Sequence, residues 1–255
     1  MKENNIELAE LEIKTIIEVC LLAGRIMMQS GAETYRVEDT MTRMAESFGI
    51  TNTHSFVTPT GIIFSMDGLN PTRLVRISTR STDLEKVARV NQISRQIASG
   101  KLQINEAFQA LKKLDDANLA FPIWLQIFAA AIASGCFLIM FKGIWGDFLP
   151  AVAVGGIGFS SLLLIHHFTK VKFFAEFAAS FVIGLLAVLF VTYGFGEQLD
   201  KIIIGSVMPL VPGLLITNAV RDLMAGHFVS GLSKGAEAFL TAFAIGAGVA
   251  AVFLF

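Results

Sequence analysis

Asn218, Arg221 and Asp222 lie at i, i+3 and i+4 in the stretch IIIGSVMPLVPGLLITNAVRDL, which puts an amide, a guanidinium and a carboxylate on one helix face. A guanidinium recognises carboxylates with two parallel donors, and an acid beside it can carry a proton. Just upstream stand Pro209, Pro212 and Gly213. Each proline removes a backbone donor and leaves a carbonyl up to four residues earlier unpaired. Transporters build substrate sites at such breaks, because the freed groups must meet protein or water. The plainer alternative is a kinked helix with a capping Arg221–Asp222 ion pair, and the residues support both. Glu176 and Glu237 fall a few residues inside the cytoplasmic ends of neighbouring helices, as snorkelling interfacial acids or as proton carriers.

A second set of candidates lies in the N-terminal half. Glu33, Arg36, Glu38 and Asp39 crowd the start of a helix, where acids are favoured and a solvated first turn is the simpler reading. His54 and Ser55 offer a base and a nucleophile, but adjacent strand residues point to opposite faces. His166 and His167 close an apolar stretch as interfacial residues. No Gly-x4-Gly-Lys-Ser/Thr loop, His-Glu-x-x-His or Cys-x-x-Cys occurs, so ATP-driven transport and zinc chemistry have no motif, and neither cofactor nor metal is expected. Cys20 and Cys136 read as small apolar core residues rather than a disulfide.

The elements that must position these groups divide in two. Five long charge-free stretches, 117–141, 148–169, 177–196, 202–220 and 238–255, each span or nearly span a hydrocarbon core of about 30 Å. Of 20 Lys and Arg, 14 fall in residues 1–118, with 15 of the 21 acidic residues. The expected fold is therefore an integral membrane bundle of five transmembrane helices over 119–255, preceded by a small soluble, cytoplasmic α+β domain over 1–118. The net charge of −1 excludes a basic nucleic-acid surface. The acidic start, MKENNIELAELEIK, lacks the apolar core of a secretory signal. With the N-terminal domain inside, Lys112, Lys113, Lys170, Lys172, Arg221 and Lys234 flank cytoplasmic ends, against Lys142 and Lys201 outside. That asymmetry orients the chain in a cell membrane with its N-terminus cytoplasmic and its C-terminus extracytoplasmic.

Within residues 1–118, apolar spacing predicts helices over 7–29, stopped by Gly31, and from Val37 to Phe48, stopped by Gly49. Strands are predicted at 53–57, 61–66 and 73–78, with a turn at Asp67, Gly68, Asn70 and Pro71. Thr82 and Glu85 form a capping-box pair opening a helix to Ser99, and Asn105 opens another towards the membrane. In the membrane half, small residues recur at Ala131 and Gly135, at Gly155, Gly156 and Gly158, and at Ala242, Gly246 and Ala250. They let helix backbones approach and predict a packed bundle, with the faces around Gly155, Gly184 and Gly246 seeking a partner.

GAETYRVEDTMTRMAESFG, HSFVTPTGIIFSMDG, TRLVRISTRSTDLEKVARVNQISRQIASGKLQINEAFQALKKL and PGLLITNAVRDLMAGHFVSGLSKGAEAFLTAFAIGAG together resemble the N-terminal unit of the threonine/serine exporter family. The likeness covers nearly the whole chain and rests on order and spacing rather than on one short motif. It implies a secondary exporter of small polar carboxylates, either threonine and serine or, as in related two-component exporters, succinate. It also implies a five-helix large subunit paired with a small multi-span membrane subunit, because the chain ends after the fifth helix. The matching positions are Gly31, Glu33, Arg36 and Glu38, then Pro212, Gly213, Asn218, Arg221 and Asp222. The leading expectation is a proton-motive-force-linked exporter subunit, with Glu176, Asp222 and Glu237 as the acids for proton coupling. A homo-oligomer is the other assembly. The competing classes are a membrane-tethered, hydrolase-like enzyme acting through the N-terminal domain, to which that region has been likened in the family, and a non-transporting scaffold or sensor.

Overall fold

The computed structural model describes residues 2–67 and 72–254, with side chains described from Glu12 onward. Its elements are α1 (Lys2–Gln29), α2 (Thr34–Ser47), β1 (Thr53–Thr58), β2 (Gly61–Met66), β3 (Arg73–Arg76), α3 (Leu84–Ala98) and α4 (Ile104–Asp116). They continue with α5 (Ile123–Met140), α6 (Phe148–Thr169), α7 (Lys172–Thr192), α8 (Leu199–Val207), α9 (Gly213–Met224) and α10 (Phe228–Val252). These form two compact units, one of Met1–Ala120 with Leu215–Gly235, the other of Phe121–Leu214 with Ala236–Phe255. The expected division between 118 and 119 thus differs from the observed one, because most of α9 and the start of α10 belong with the N-terminal segment. The reason is chemical: this stretch carries Asn218, Asp222, Ser230 and Lys234, all buried and all needing polar partners.

In the first unit α1 supplies the centre of the core. Its Ile16, Val19, Cys20, Ala23, Ile26 and Met27 are buried with Val37, Met41 and Met44 of α2. Burial pushes the Cys20 thiol up to about 12, so it serves as an inert core residue. Gly31 turns the chain from α1 to α2 at φ 89°, a left-handed conformation that a side chain would strain. The sheet is antiparallel in the order β1-β2-β3. Strand alternation sends Val57, Ile62, Phe64 and Met66 into the core. It sets Phe56, Ile63 and Leu74 in one cross-strand row on the other face.

Two helix starts differ from expectation. Asp83, not Thr82, caps α3, its Oδ1 accepting the Lys86 backbone N–H at 3.1 Å, while Glu85 pairs with Arg89 at 2.9 Å. At α4 the helix opens at Ile104, ahead of Asn105, and Glu106 accepts the N–H of Gln103 at 2.9 Å. Of the predicted turn, Gly68, Asn70 and Pro71 lie outside the described residues.

Among the described residues four helical segments are long and apolar enough to cross a membrane: Ile123–Met140, Trp145–Thr169, Lys172–Thr192 and Phe228–Val252. A fifth crossing is counted if Leu199–Leu210 and Gly213–Met224 form one broken span. The chain is therefore a multi-pass membrane protein with a packed helical core built from Leu138, Ala151, Val154, Ala179, Ile183, Ile202 and Ile245. The third and fifth stretches begin earlier than expected, at Lys172 and Phe228, because Lys172 and Glu237 pair at 2.8 Å and so carry their charges within the helices. Asp147 accepts the N–H groups of Glu197 and Gln198 at 2.7 and 2.8 Å, tying the turn before α6 to the α7–α8 connection.

Small residues set the helix separations, as expected, though not at every predicted place. A Cβ on Gly135 would meet Phe148 and Val152 at 2.7 Å, and one on Gly205 would meet the Ser134 carbonyl at 2.8 Å. Gly155 faces Ser134, Gly158 faces Ile183 and Gly184 faces Val252, so those glycines find partners within the chain. Gly246 has nothing within 4 Å of a Cβ position, and only its surroundings keep an open face. Gly155→Val should therefore lower the thermal stability of detergent-solubilised protein by about 1–3 kcal/mol through overpacking. Gly246→Val should leave it unchanged, a contrast read in one melting series.

Candidate functional site

The N-terminus of α2 presents backbone N–H groups that have no partner within the helix, and Glu33 at its cap position makes no capping bond. Asp222 of α9 fills the role. Its Oδ1 accepts the Thr34 N–H at 2.9 Å, and its Oδ2 accepts the Thr34 hydroxyl at 2.9 Å. Lys234 of α10 donates to the same Oδ2 at 2.7 Å, to the Ala32 carbonyl at 3.1 Å and to Thr34 Oγ1 at 3.4 Å. Asp222 is 0% exposed and Lys234 3%, so this is a buried ion pair whose remaining valences are met by the α1–α2 turn. Asn218 completes the fastening by donating to the Gly31 carbonyl at 2.8 Å.

One helical position away, Glu33 holds two guanidiniums. Arg221 Nη1 bonds its Oε1, and Arg36 Nε lies 3.1 Å from its Oε2. The Glu33 side chain is nearly buried, whereas those of Arg221 and Arg36 are 54% and 42% exposed. Glu38, a turn further on, accepts the Val57 N–H at 2.9 Å, and Ser230 donates to the Val57 carbonyl at 3.0 Å. Together they satisfy the outer edge of β1. Burial pushes the Glu38 carboxyl above its ordinary value and nearby Asp222 adds to the rise, while the Val57 N–H and His227, 3.9 Å away, oppose it.

The two candidate sets thus converge: Asn218, Arg221 and Asp222 meet Glu33, Arg36 and Glu38 in one polar cluster of the first unit. Arg221 and Asp222 do not cap one another; each pairs elsewhere, which corrects the expected ion pair. Lys234, read from the sequence as a flanking charge, is a buried partner instead. Sequence reasoning missed it and Thr34. The available signal was the small-residue surround of Lys234, with Gly231 packed on Leu223 and Gly235 facing Ala219. Asp39 stays in a solvated pair with Arg43 at 2.6 Å. His54 lies 3.3 Å from Asp67 on an exposed strand and forms no couple with Ser55.

Pro209, Pro212 and Gly213 belong to the second unit. α8 tightens into a single 3-10 turn over Met208–Leu210, Val211 is extended, and α9 starts after Pro212. The fourth apolar stretch is therefore broken. Glu176 and Glu237 also lie in the second unit, Glu237 against Lys172 and Glu176 with its Oε1 3.3 Å from the Thr241 hydroxyl.

A family model described as "Putative threonine/serine exporter" matches residues 18–255. The chain belongs to the threonine/serine exporter family. A probable threonine/serine exporter of Mycobacterium tuberculosis is 23% identical over 91% of this chain and 45% of its own length, so the chain spans about half of that relative. Probable succinate transporter subunits named YjjP are 26% identical in Klebsiella aerogenes and 25% in Escherichia coli, over 93% and 92% of this chain and 93% of each relative. No solved structure matches the chain. The family is one of transporters, and in this exporter-family chain Asp222 and Lys234 form a buried ion pair.

Removing one partner of that pair leaves the other charge buried and alone. Asp222→Asn and Lys234→Met should each lower stability by about 3–5 kcal/mol. The double variant Asp222→Leu/Lys234→Met should lose clearly less than the sum, read as thermal midpoints in mild detergent. Additive losses would mean that the two charges do not depend on each other.

Proposed function

We propose that this chain is the large subunit of a secondary, proton-motive-force-linked exporter of small polar carboxylates, threonine and serine or succinate. The observation that carries the reading is the convergence of two half-exposed guanidiniums, Arg221 and Arg36, on one internal carboxylate, Glu33, in a chain of an exporter family. Glu33 occupies the position of a substrate carboxylate: displacing it would hand both guanidiniums to the ligand at little cost, because the ion-pair chemistry is the same. Asn218 and Asp222 hold α9 in place for that exchange. The break at Pro209, Pro212 and Gly213 supplies the freed backbone groups of the transport path.

A small multi-span membrane subunit is the proposed partner, supported by the two YjjP relatives, named as transporter subunits and matched over nearly their full length. The open stripe of Ala242, Gly246 and Ala250 on α10 suits a closely packed neighbouring helix, and a second copy of the chain is the alternative occupant. The N-terminal unit is proposed to face the cytoplasm, following the basic flanks.

Counterflow in reconstituted vesicles with threonine, serine and succinate, with and without the small partner, tests the reading. Exchange of at least one of these is expected only with both polypeptides present. Arg221→Lys keeps the charge but loses the planar fork, so the apparent affinity should weaken by about tenfold or more at unchanged protein level. Unchanged exchange would remove Arg221 from the substrate site, and absence of exchange with all three would favour an enzyme or scaffold. Orientation is checked separately: a reporter after Phe255 should be extracytoplasmic and one before Met1 cytoplasmic.

A further inference from the structure

In the second unit, α7 and α10 run alongside each other in the same direction, as the contacts 172 with 237, 176 with 241 and 184 with 252 show. The crossing is close, since a Cβ on Gly248 would collide with the Phe177 carbonyl and lie 3.0 Å from Ser180 Cβ. Three oxygen-bearing side chains are sealed into it: Glu176 at 6% exposure, Ser180 at 0% and Thr241 at 1%. Glu176 Oε1 has the Thr241 hydroxyl at 3.3 Å, but Glu176 Oε2 and Ser180 Oγ are buried without a hydrogen-bond partner among the described residues. Ser180 differs from most hydroxyls of the second unit. The hydroxyls of Ser134, Ser160, Ser161, Thr169 and Thr192 all donate to the carbonyl four residues earlier, whereas that of Ser180 does not. Buried polar atoms with no partner call for an explanation, and an ionised carboxylate in that position would be costly.

We infer that Glu176 is the carboxyl that takes up and releases the coupling proton, with the Thr241 hydroxyl donating to its Oε1 and Ser180 one helical turn away on the same face. The proton adds to Oε2 to form a neutral acid, and it leaves to water as the carboxylate reforms. The other two acids expected to carry a coupling proton, Asp222 and Glu237, are already engaged. Asp222 accepts three bonds, from the Thr34 N–H, the Thr34 hydroxyl and Lys234, and Glu237 is held by Lys172 at 2.8 Å. The charged and titratable groups facing Glu176 are Lys172 on its own helix, Glu237 on α10 and His166 on α6. With Lys172 bound to Glu237, no cation among the described residues is dedicated to the Glu176 carboxylate, so a mobile proton is the charge it can exchange. The inference rests on the exporter reading for its role in transport but not for the existence of the site.

The site is read without transport by infrared difference spectroscopy of the full chain in lipid. A protonated-carboxyl band should be present, disappear as the pH is raised and be missing from Glu176→Gln, and Ser180→Ala should shift its midpoint. A spectrum in which Glu176→Gln removes no such band overturns the proposal. In vesicles with both polypeptides, Glu176→Gln should abolish accumulation driven by a pH gradient while counterflow persists, because exchange needs no net proton movement. Retained pH-driven accumulation, or accumulation driven by a sodium chloride gradient alone and lost in Glu176→Gln, would overturn proton coupling at this residue. Failure of wild-type counterflow would instead strike the exporter reading, while the infrared band would still decide whether Glu176 is the proton-binding carboxyl.

Discussion

The buried Asp222–Lys234 pair is the constraint around which the first unit is organised. Two charges removed from water are tolerable only when each is paired and its remaining hydrogen-bonding capacity is used. Here that capacity is used by the Thr34 N–H, the Thr34 hydroxyl and the Ala32 carbonyl, all from the α1–α2 turn. The pair therefore fixes three things at once: where α2 begins, how the turn at Gly31 is held, and which part of the C-terminal half packs with the N-terminal segment. Apolar contacts alone would permit the α9 and α10 segments to slide along that surface. Directional bonds to a buried charge do not.

The second unit is held by a different principle. Its helices are apolar on nearly every face, so hydrophobicity gives little preference for one neighbour over another in lipid, and shape has to decide. Glycines at 135, 155, 158 and 205 meet bulky or backbone groups of adjacent helices, and each sets a separation that a larger side chain would prevent. Polar contacts are sparse and placed at ends and connections, as with Asp147 and the Lys172–Glu237 pair. Against that background the unpartnered oxygens of Glu176 and Ser180 stand out, because a unit packed on shape has no structural need for them.

The two units also divide the chemistry. Carboxylate recognition, on the proposed reading, belongs to the half-exposed guanidiniums at Glu33, where exchange of one carboxylate for another changes little in energy. Proton exchange, on the same proposed reading, belongs to a site where the charge itself is costly and its loss is favourable. Both follow from local dielectric and pairing rather than from any special residue, and the family assignment gives them a transport setting.

Much of the architecture was legible in the sequence. Apolar length exposed the membrane helices, period-2 and period-3.6 patterns gave the ααβββαα order, and Gly31 and Gly49 marked helix ends, because these signals are local and follow from backbone geometry. The proline break was legible for the same reason. Asn218, Arg221 and Asp222 could be placed on one face, and Glu33, Arg36 and Glu38 at the start of one helix, but their meeting could not be read, since residues almost two hundred positions apart share no local signal. The same limit turned Lys234 into an apparent flanking charge and drew a linear boundary where the chain returns. Spacing along one helix determines which side chains share a face; only tertiary packing decides what that face meets, and a buried charge is recognisable only once its partner is beside it.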